Sequence, residues 1–276
     1  MTDSVKQSKP LQCKVVSTGA WGGYFESYTA LQQLFAGGEL PEKKQKGPKP
    51  AIIPANERRR APLPVRLAVE SSWQAAQKAE VTPDALTCVF VSGFGDTDLT
   101  DYMCKVLASD NKELSPTKFH NSVHNAAAGY WTISTDTMRA ANSVAGYQES
   151  VSLTLFEAMV QCEYEDSPML VTFYDAPVSE ILKPLLPNDE AFAFSLVLYP
   201  ASSDLPGTLL TANVNSNDTC DWPELACSND YIQGLYRTNP SARVLCLAES
   251  LEQPTGASRA LTLPLSAGST LSLTFS

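Results

Sequence analysis

Residues 115–133 read SPTKFHNSVHNAAAGYWTI, and residues 143–150 read SVAGYQES. The second stretch carries a short extended run through small residues into a helical pattern. Many α/β enzymes present a nucleophilic Ser or Cys at such a strand-to-helix turn. Here the turn offers Tyr147 and Gln148, and an amide is no nucleophile. The first stretch holds the only two histidines of the chain, His120 and His124, with Asn121 and Asn125 beside them. A metal site would need a third ligand, and neither HExxH nor a carboxylate at suitable spacing is present. No metal and no cofactor are expected, and the pair is assigned a capping or interface role.

Working outward, strand and helix signals alternate. CKVVSTGAW (13–21) and TCVFVSGFGD (87–96) are strands that end at glycine. Between them Val65, Ala68, Val69, Trp73 and Ala76 recur at helical spacing, which predicts a crossover helix. A further helix is expected over 99–107 and another from Ser150 to Val160. SPMLVTFYDA (167–176) and FAFSLVLYPA (192–201) are strong strands. The order implies a layered α/β sheet. Residues 37–64, rich in Pro, Gly and Lys, predict a surface loop, and about 202–230 a second one. Leu261, Leu263 and Leu265, then SAGS, then Leu271, Leu273 and Phe275 alternate with period two, so a β-hairpin is expected. One domain over 11–276 with a flexible 1–10 accommodates all of this.

Composition excludes several function classes. Thirty acidic against 20 basic residues give a formal charge of −10, which would repel a phosphate backbone, so no nucleic acid is expected as partner. Seven cysteines at irregular spacing, without CxxC, suggest buried reduced thiols. The start MTDSVKQSKP has no apolar h-region, and the most apolar stretch, 191–199, is too short to span a membrane. A cytoplasmic location is therefore expected. The turns GAWGG (19–23) and SGFGD (92–96) follow strands but match neither GxGxxG nor GxxxxGK[ST], so tight turns are expected. The basic residues Arg58, Arg59 and Arg60 abut the crossover helix and are a candidate contact for an acidic carrier protein, although charge runs are usually solvated.

A strand with STG, then RRR and a helix, a strand with SGFG, the segment 115–133 and the nucleophile-like turn together resemble the amino-terminal half of a β-ketoacyl synthase. In ketosynthases a Ser-Pro, an Asn, then Ala-Gly and an apolar pair lead at near-fixed spacing into a strand that ends in the catalytic Cys. Counted forward from Ile133, the Cys position is Gln148. The resemblance covers roughly residues 11–201. It implies an α/β, thiolase-like fold: the N-terminal half of a ketosynthase, a mixed β-sheet flanked by helices, with the C-terminal β-hairpin added.

Gln at that position is similar to two groups in the superfamily. One is the chain length factors, inactive partners of type II polyketide ketosynthases. The other is the loading ketosynthases that decarboxylate malonyl thioesters. A full ketosynthase continues into a second half carrying two catalytic histidines and a lysine, and this chain has no histidine after His124. The resemblance thus implies a non-catalytic, chain-length-factor-like subunit, as in aryl-polyene ketosynthase pairs. It would form a heterodimer with an active ketosynthase and meet an acyl carrier protein indirectly. The alternatives are a degenerate malonyl decarboxylase and a carrier-binding scaffold.

In the family the subunits meet through the segment matching 115–133 and through the strand before the turn. Phe119, His120, Asn121, Val123, His124, Asn125, Asn142 and Val144 are therefore the expected interface and acyl-tunnel residues. Phe119 and Val123 would reach into the partner's tunnel, or else be ordinary core. Half of such a fold is also expected to leave one sheet face uncovered, to be closed by a partner or by the hairpin.

Overall fold

TCVFV at Thr87–Val91 (β2) and MLVTFYD at Met169–Asp175 (β4) are buried at every position. Strands apolar along their whole length are those of a sheet covered on both faces, and these two pair in parallel. The computed structural model describes residues 9–44, 46–253, 259–266 and 268–276. In chain order it builds β1 (Leu11–Gly22), α1 (Tyr28–Phe35), α2 (Ala55–Arg58), α3 (Leu63–Lys78), β2, α4 (Thr97–Ala108), α5 (Pro116–His120), α6 (Ala126–Thr135), β3 (Ala141–Val144) and α7 (Ser150–Glu165). After β4 come β5 (Phe192–Pro200), β6 (Thr208–Ser216), α8 (Asp230–Thr238), α9 (Leu245–Leu251), β7 (Arg259–Ser266) and β8 (Ser269–Phe275).

The strands form one mixed sheet in the order β3-β2-β4-β5-β1-β6-β8-β7. β3, β2 and β4 run parallel, and every other neighbouring pair is antiparallel. The predicted crossover helix is α3, whose Pro64 is pre-set for a first turn. Its sheet side is small, with Ala68, Ser71, Ser72, Ala75 and Ala76 all buried, so it lies close on the strands. A Cβ on Gly19 of β1 would come within 2.1 Å of the Ser71 carbonyl, and only glycine fits there. Buried hydroxyls pin the helix: Ser72 Oγ and Thr172 Oγ1 are 2.7 Å apart, and Ser195 Oγ donates to Ser71 Oγ at 2.8 Å.

α3 and α6 cover one face, over Phe90, Leu170, Ala193 and Val197. On the other face α1, α7, α8 and α9 pack on Val89, Val171, Phe173, Phe194 and Leu196. α7 alone contributes fully buried Val151, Leu155 and Met159, each stabilising by about 1.5–3 kcal/mol relative to exposure.

This arrangement corrects two expectations. No face of the central strands is left open, because residues 230–251 supply the second helical layer. The hairpin is no cover either: β8 pairs with β6 and β7 with β8, so it lengthens the sheet. The loop expected over about 202–230 also contains a strand, β6, whose outward Thr and Asn residues imitate a loop. Residues 36–62 are largely irregular, as expected, with the one-turn α2 inside them, and buried Ile53 pins the strap. The flexible segment expected over 1–10 falls outside the described residues up to residue 8. Lys9 is described, and its ammonium meets Glu163 of α7 at 2.8 Å. Ala267 of the hairpin turn also lies outside the described residues, while Gly268 takes φ 78°, which its lack of a Cβ permits.

Candidate functional site

β3 ends at Val144 and α7 begins at Ser150, and the chain between them makes the turn that the sequence marked. Gly146 N–H donates to Ser150 Oγ at 2.9 Å, and a short 3-10 turn runs over Tyr147–Glu149. Tyr147 has φ 49°, a left-handed conformation that costs an aromatic residue about 1–3 kcal/mol. A strained residue at a strand-to-helix turn is how a nucleophile elbow exposes its reactive group. The strain sits at Tyr147, one residue before Gln148, so the backbone aims the phenol outward and the amide follows it. No thiol stands at either position, and neither histidine lines the cleft beside the elbow.

The neighbouring loop after β2 is held against the elbow from below. Asp175, at the end of β4, is fully buried and accepts five hydrogen bonds. They come from Ser92 Oγ (2.7 Å), Phe94 N (3.0 Å), Gly93 N (3.2 Å), Ser241 N (3.2 Å) and Ser241 Oγ (2.7 Å). Burial pushes its carboxyl upward, and the donors from Ser241, Ser92, Phe94 and Gly93 oppose the shift. A Cβ on Gly93 would lie 2.6 Å from Pro240 Cβ, so the loop and the Asn239–Ser241 turn close tightly over the carboxylate. Phe94 then stacks near Tyr147, ring centres 5.8 Å apart. The sequence signal for Asp175 was an acid closing an otherwise apolar run.

The segment 115–125 is a partition between two cavities. Ser115 caps α5, and Lys118 Nζ lies 3.5 Å from the Tyr102 ring centre. Val123, His124 and Asn121 line a cavity of about 500 Å3 together with Pro62, Leu99 and Met103. Val123, His120 and Asn125 line a second of about 470 Å3 with Ile52, Tyr130 and Ile133. Asn121 is buried and donates to the Arg60 carbonyl at 3.2 Å. Phe119 lines neither cavity and is 58% exposed. Phe119 and Val123 are therefore surface residues, not core.

Asn142, exposed on the edge strand β3, donates to Glu157 Oε1 at 3.3 Å, and Val144 is half-buried against the core under α7. Among the described residues β3 is hydrogen-bonded on one side only. Beside that free edge Ile133 and Met138 stand 79% and 96% exposed. His120, Asn121, Val123, His124 and Asn125 thus line two cavities that meet at Val123, while Phe119, Ile133 and Met138 are exposed apolar side chains. The three arginines are partly engaged: Arg58 donates to the Pro50 carbonyl at 2.9 Å, Arg59 to Asn56, and Arg60 lies 3.7 Å from Glu57.

Cys13, Cys88, Cys162, Cys227 and Cys246 are buried, Cys220 is half-buried, and Cys104 is exposed. Burial pushes the Cys88 and Cys246 thiols up to about 12, which leaves them poor nucleophiles. Arg237 and Arg243, which the sequence reading passed over, stand on the far wall of the elbow cleft. Their segment lies beyond the part of the chain where strand and helix signals were strong.

Comparison with known proteins bears on this geometry. The family model described as β-ketoacyl synthase, N-terminal domain, matches residues 34–244. No curated protein matches by sequence. Among solved structures the chain is similar to the ketosynthase (ApeO) in complex with its chain length factor (ApeC) from Xenorhabdus doucetiae. The TM-score is 0.62 at 17% identity, over 96% of this chain and 99% of that one. It is similar to the ishigamide ketosynthase/chain length factor, with TM-score 0.70 at 12% identity over 96% and 99%. A third likeness is AntDE:AntF, a type II polyketide acyl-carrier protein in complex with its ketosynthase, with TM-score 0.71 at 13% identity over 96% and 99%. At these identities the likeness is one of fold. Among the described residues no helix is long and apolar enough to cross a membrane.

Proposed function

This chain belongs to the family of β-ketoacyl synthase N-terminal domains, and from that premise we propose that it is a non-catalytic, chain-length-factor-like subunit that pairs with an active ketosynthase. The observation that carries the reading is the elbow. Strand, strained turn and helix are all in place, yet Tyr147 and Gln148 stand where condensation needs a thiolate. The two histidines line other cavities, so no imidazole is at hand to stabilise charge as a carboxylate leaves. The chain acts through its partner.

Pairing uses the free edge of β3 and the exposed apolar side chains Phe119, Val123, Ile133 and Met138. An open edge and exposed apolar side chains of this size are what an obligate interface, on the order of 2,000 Å2 or more in total, buries. Both central sheet faces are already covered, so the partner completes a surface and not a core. The cavities on either side of Val123 receive the distal part of a polyene or fatty-acid-like chain of the aryl-polyene type. An acyl carrier protein delivers that chain to the partner.

The test is co-purification with candidate ketosynthases, followed by mass spectrometry of the chains they release. Val123→Trp should shorten the products by about one two-carbon unit while the heterodimer stays intact, because a packed cavity wall changes what fits by a few methylenes. Phe119→Ala should act less, since Phe119 lines neither cavity. Gln148→Cys alone should show no condensation. A stable monomer that ignores every ketosynthase, or unchanged products from an intact Val123→Trp complex, would overturn the reading.

A further inference from the structure

Leu99 and Asn121 are both buried, and no residue between them is. α4 is therefore gripped by its first turn alone, where Asp96 caps it and Thr97 Oγ1 accepts from the Ser179 N–H at 2.8 Å, whereas α3 buries nine residues along its length. Among the described residues, every hydrogen bond and ion pair made by residues 100–120 stays within 96–122. Internally the stretch is braced: the Ser115 N–H donates to Tyr102 Oη at 3.2 Å, and Lys118 stands over the Tyr102 ring. α4 and α5 thus form one body, joined to the core at its two ends.

That body borders the larger of the two cavities. Leu99, Met103 and Leu107 recur every four residues, and with Cys104 they line the space of about 500 Å3 that Pro62, Val65, Val123 and Ala127 also line. Asp98, Asp101 and Lys105 fall on the other side of the helix. An amphipathic helix ordinarily seats its apolar stripe on the core. This one faces a cavity instead, and Leu107 of α4 and Val123 of the segment after α5 are each 53% exposed. Apolar surfaces across such a gap are driven together unless something apolar lies between them. The chain also has a pivot. Gly95, just before α4, takes φ 68°, and a Cβ there would meet nothing within 4 Å, so this glycine supplies backbone freedom and not space.

We propose that α4 and α5 are a hinged wall of this cavity, closing towards Val123 and Ala127 in the free chain and held open by an apolar chain lying between. A ligand that enters only the open form shifts the two populations by its affinity for that form. The movement rests on the packing of residues 95–121, and only the identity of the ligand as an acyl chain rests on the pairing proposed above.

Distances between two spin labels in the full chain test it. One label is carried by Lys105→Cys on the outer side of α4, the other by Gln77→Cys at an exposed position of α3. Cys104→Ser and Cys220→Ser complete the background, since the other five cysteines are buried. Decanoate is the probe, its binding followed by calorimetry. Two separations are expected without it, merging with it into the one that this structure shows. Leu107→Asp, at an exposed position that tolerates a charge, should raise the ratio of open to closed form about tenfold or more without any ligand, because closure would bury its carboxylate. Asp98→Asn, on the outer side, should leave the ratio unchanged. One separation, identical in the free chain, with decanoate and in Leu107→Asp, would overturn the proposal whether or not decanoate binds. Two populations that Leu107→Asp leaves unchanged would overturn it as well, and two that only Leu107→Asp shifts would remove the apolar chain as what holds the wall open. Co-purification with a ketosynthase is read separately, so failure of the wall leaves the pairing standing.

Discussion

β4, near one end of the sheet, is buried at all seven positions, whereas β7, at the other end, buries only alternate residues: Arg259, Leu261, Leu263 and Leu265 inside, Ala260, Thr262 and Ser266 outside. The parallel end lies between two helical layers, and the antiparallel end packs helices on one face and meets water on the other with Thr211, Asn213, Ser272 and Thr274. The elbow, the Asp175 clasp and the cleft beside them all belong to the parallel end. Strands whose carboxyl ends point the same way gather their outgoing loops on one side, so loop residues far apart in sequence meet there. Antiparallel strands disperse them.

The largest expected effect tests whether the parallel end is as tightly determined as this contrast implies. Asp175→Ala removes the acceptor of five donors, three of them buried, and leaving them unpaired should cost on the order of 3 kcal/mol or more. Chemical denaturation measures it, and a loss under about 1 kcal/mol would mean that the loops hold without the clasp. Next comes Leu263→Ala at the antiparallel end, a fully buried side chain in a strand helped by neighbours on one face only. It should cost about 2–3 kcal/mol, near the low end for such truncations. A cost equal to that of Asp175→Ala would erase the distinction between the ends.

The smallest effect concerns the seam, where β1 joins both halves. The Lys9 ammonium and the Gln12 backbone N–H hold the Glu163 carboxyl below its usual range. A depressed folded-state value stabilises above the unfolded value, about 4.3, and the contribution is lost as pH falls through the folded value. Glu163→Gln should therefore cost about 0.2–1 kcal/mol at neutral pH. The gap to wild type should close below about pH 4. A gap that persists in acid would point to packing as the cause.

The same contrast explains what was legible in the amino-acid sequence. Doubly covered strands announce themselves as unbroken apolar runs, so TCVFV and MLVTFYD were plain, and the hairpin showed its period of two. β6 alternates as well, with Leu210, Ala212 and Val214, but its other face is Thr, Asn and Ser, the vocabulary of loops. The elbow was visible as a transition from strand to helix. Its exact strained residue was not, because spacing locates a turn to within a residue while only the backbone shows which one carries positive φ. Arg237 and Arg243 were hidden for a different reason: the cleft they line brings residues 94, 147–148 and 237–243 together, and such a convergence has no local pattern.

β1 lies between β5 and β6, so both its partners are made much later than it is. Its backbone donors and acceptors wait from Gly22 until Phe192 has left the ribosome, at roughly 5–20 residues per second a delay on the order of ten to thirty seconds. During that interval the nascent chain exposes LQCKVVSTGAW with both edges free. β8 likewise is made after both of the strands it inserts between, β6 and β7. The topology therefore predicts late folding, because β1 cannot pair until β5 exists.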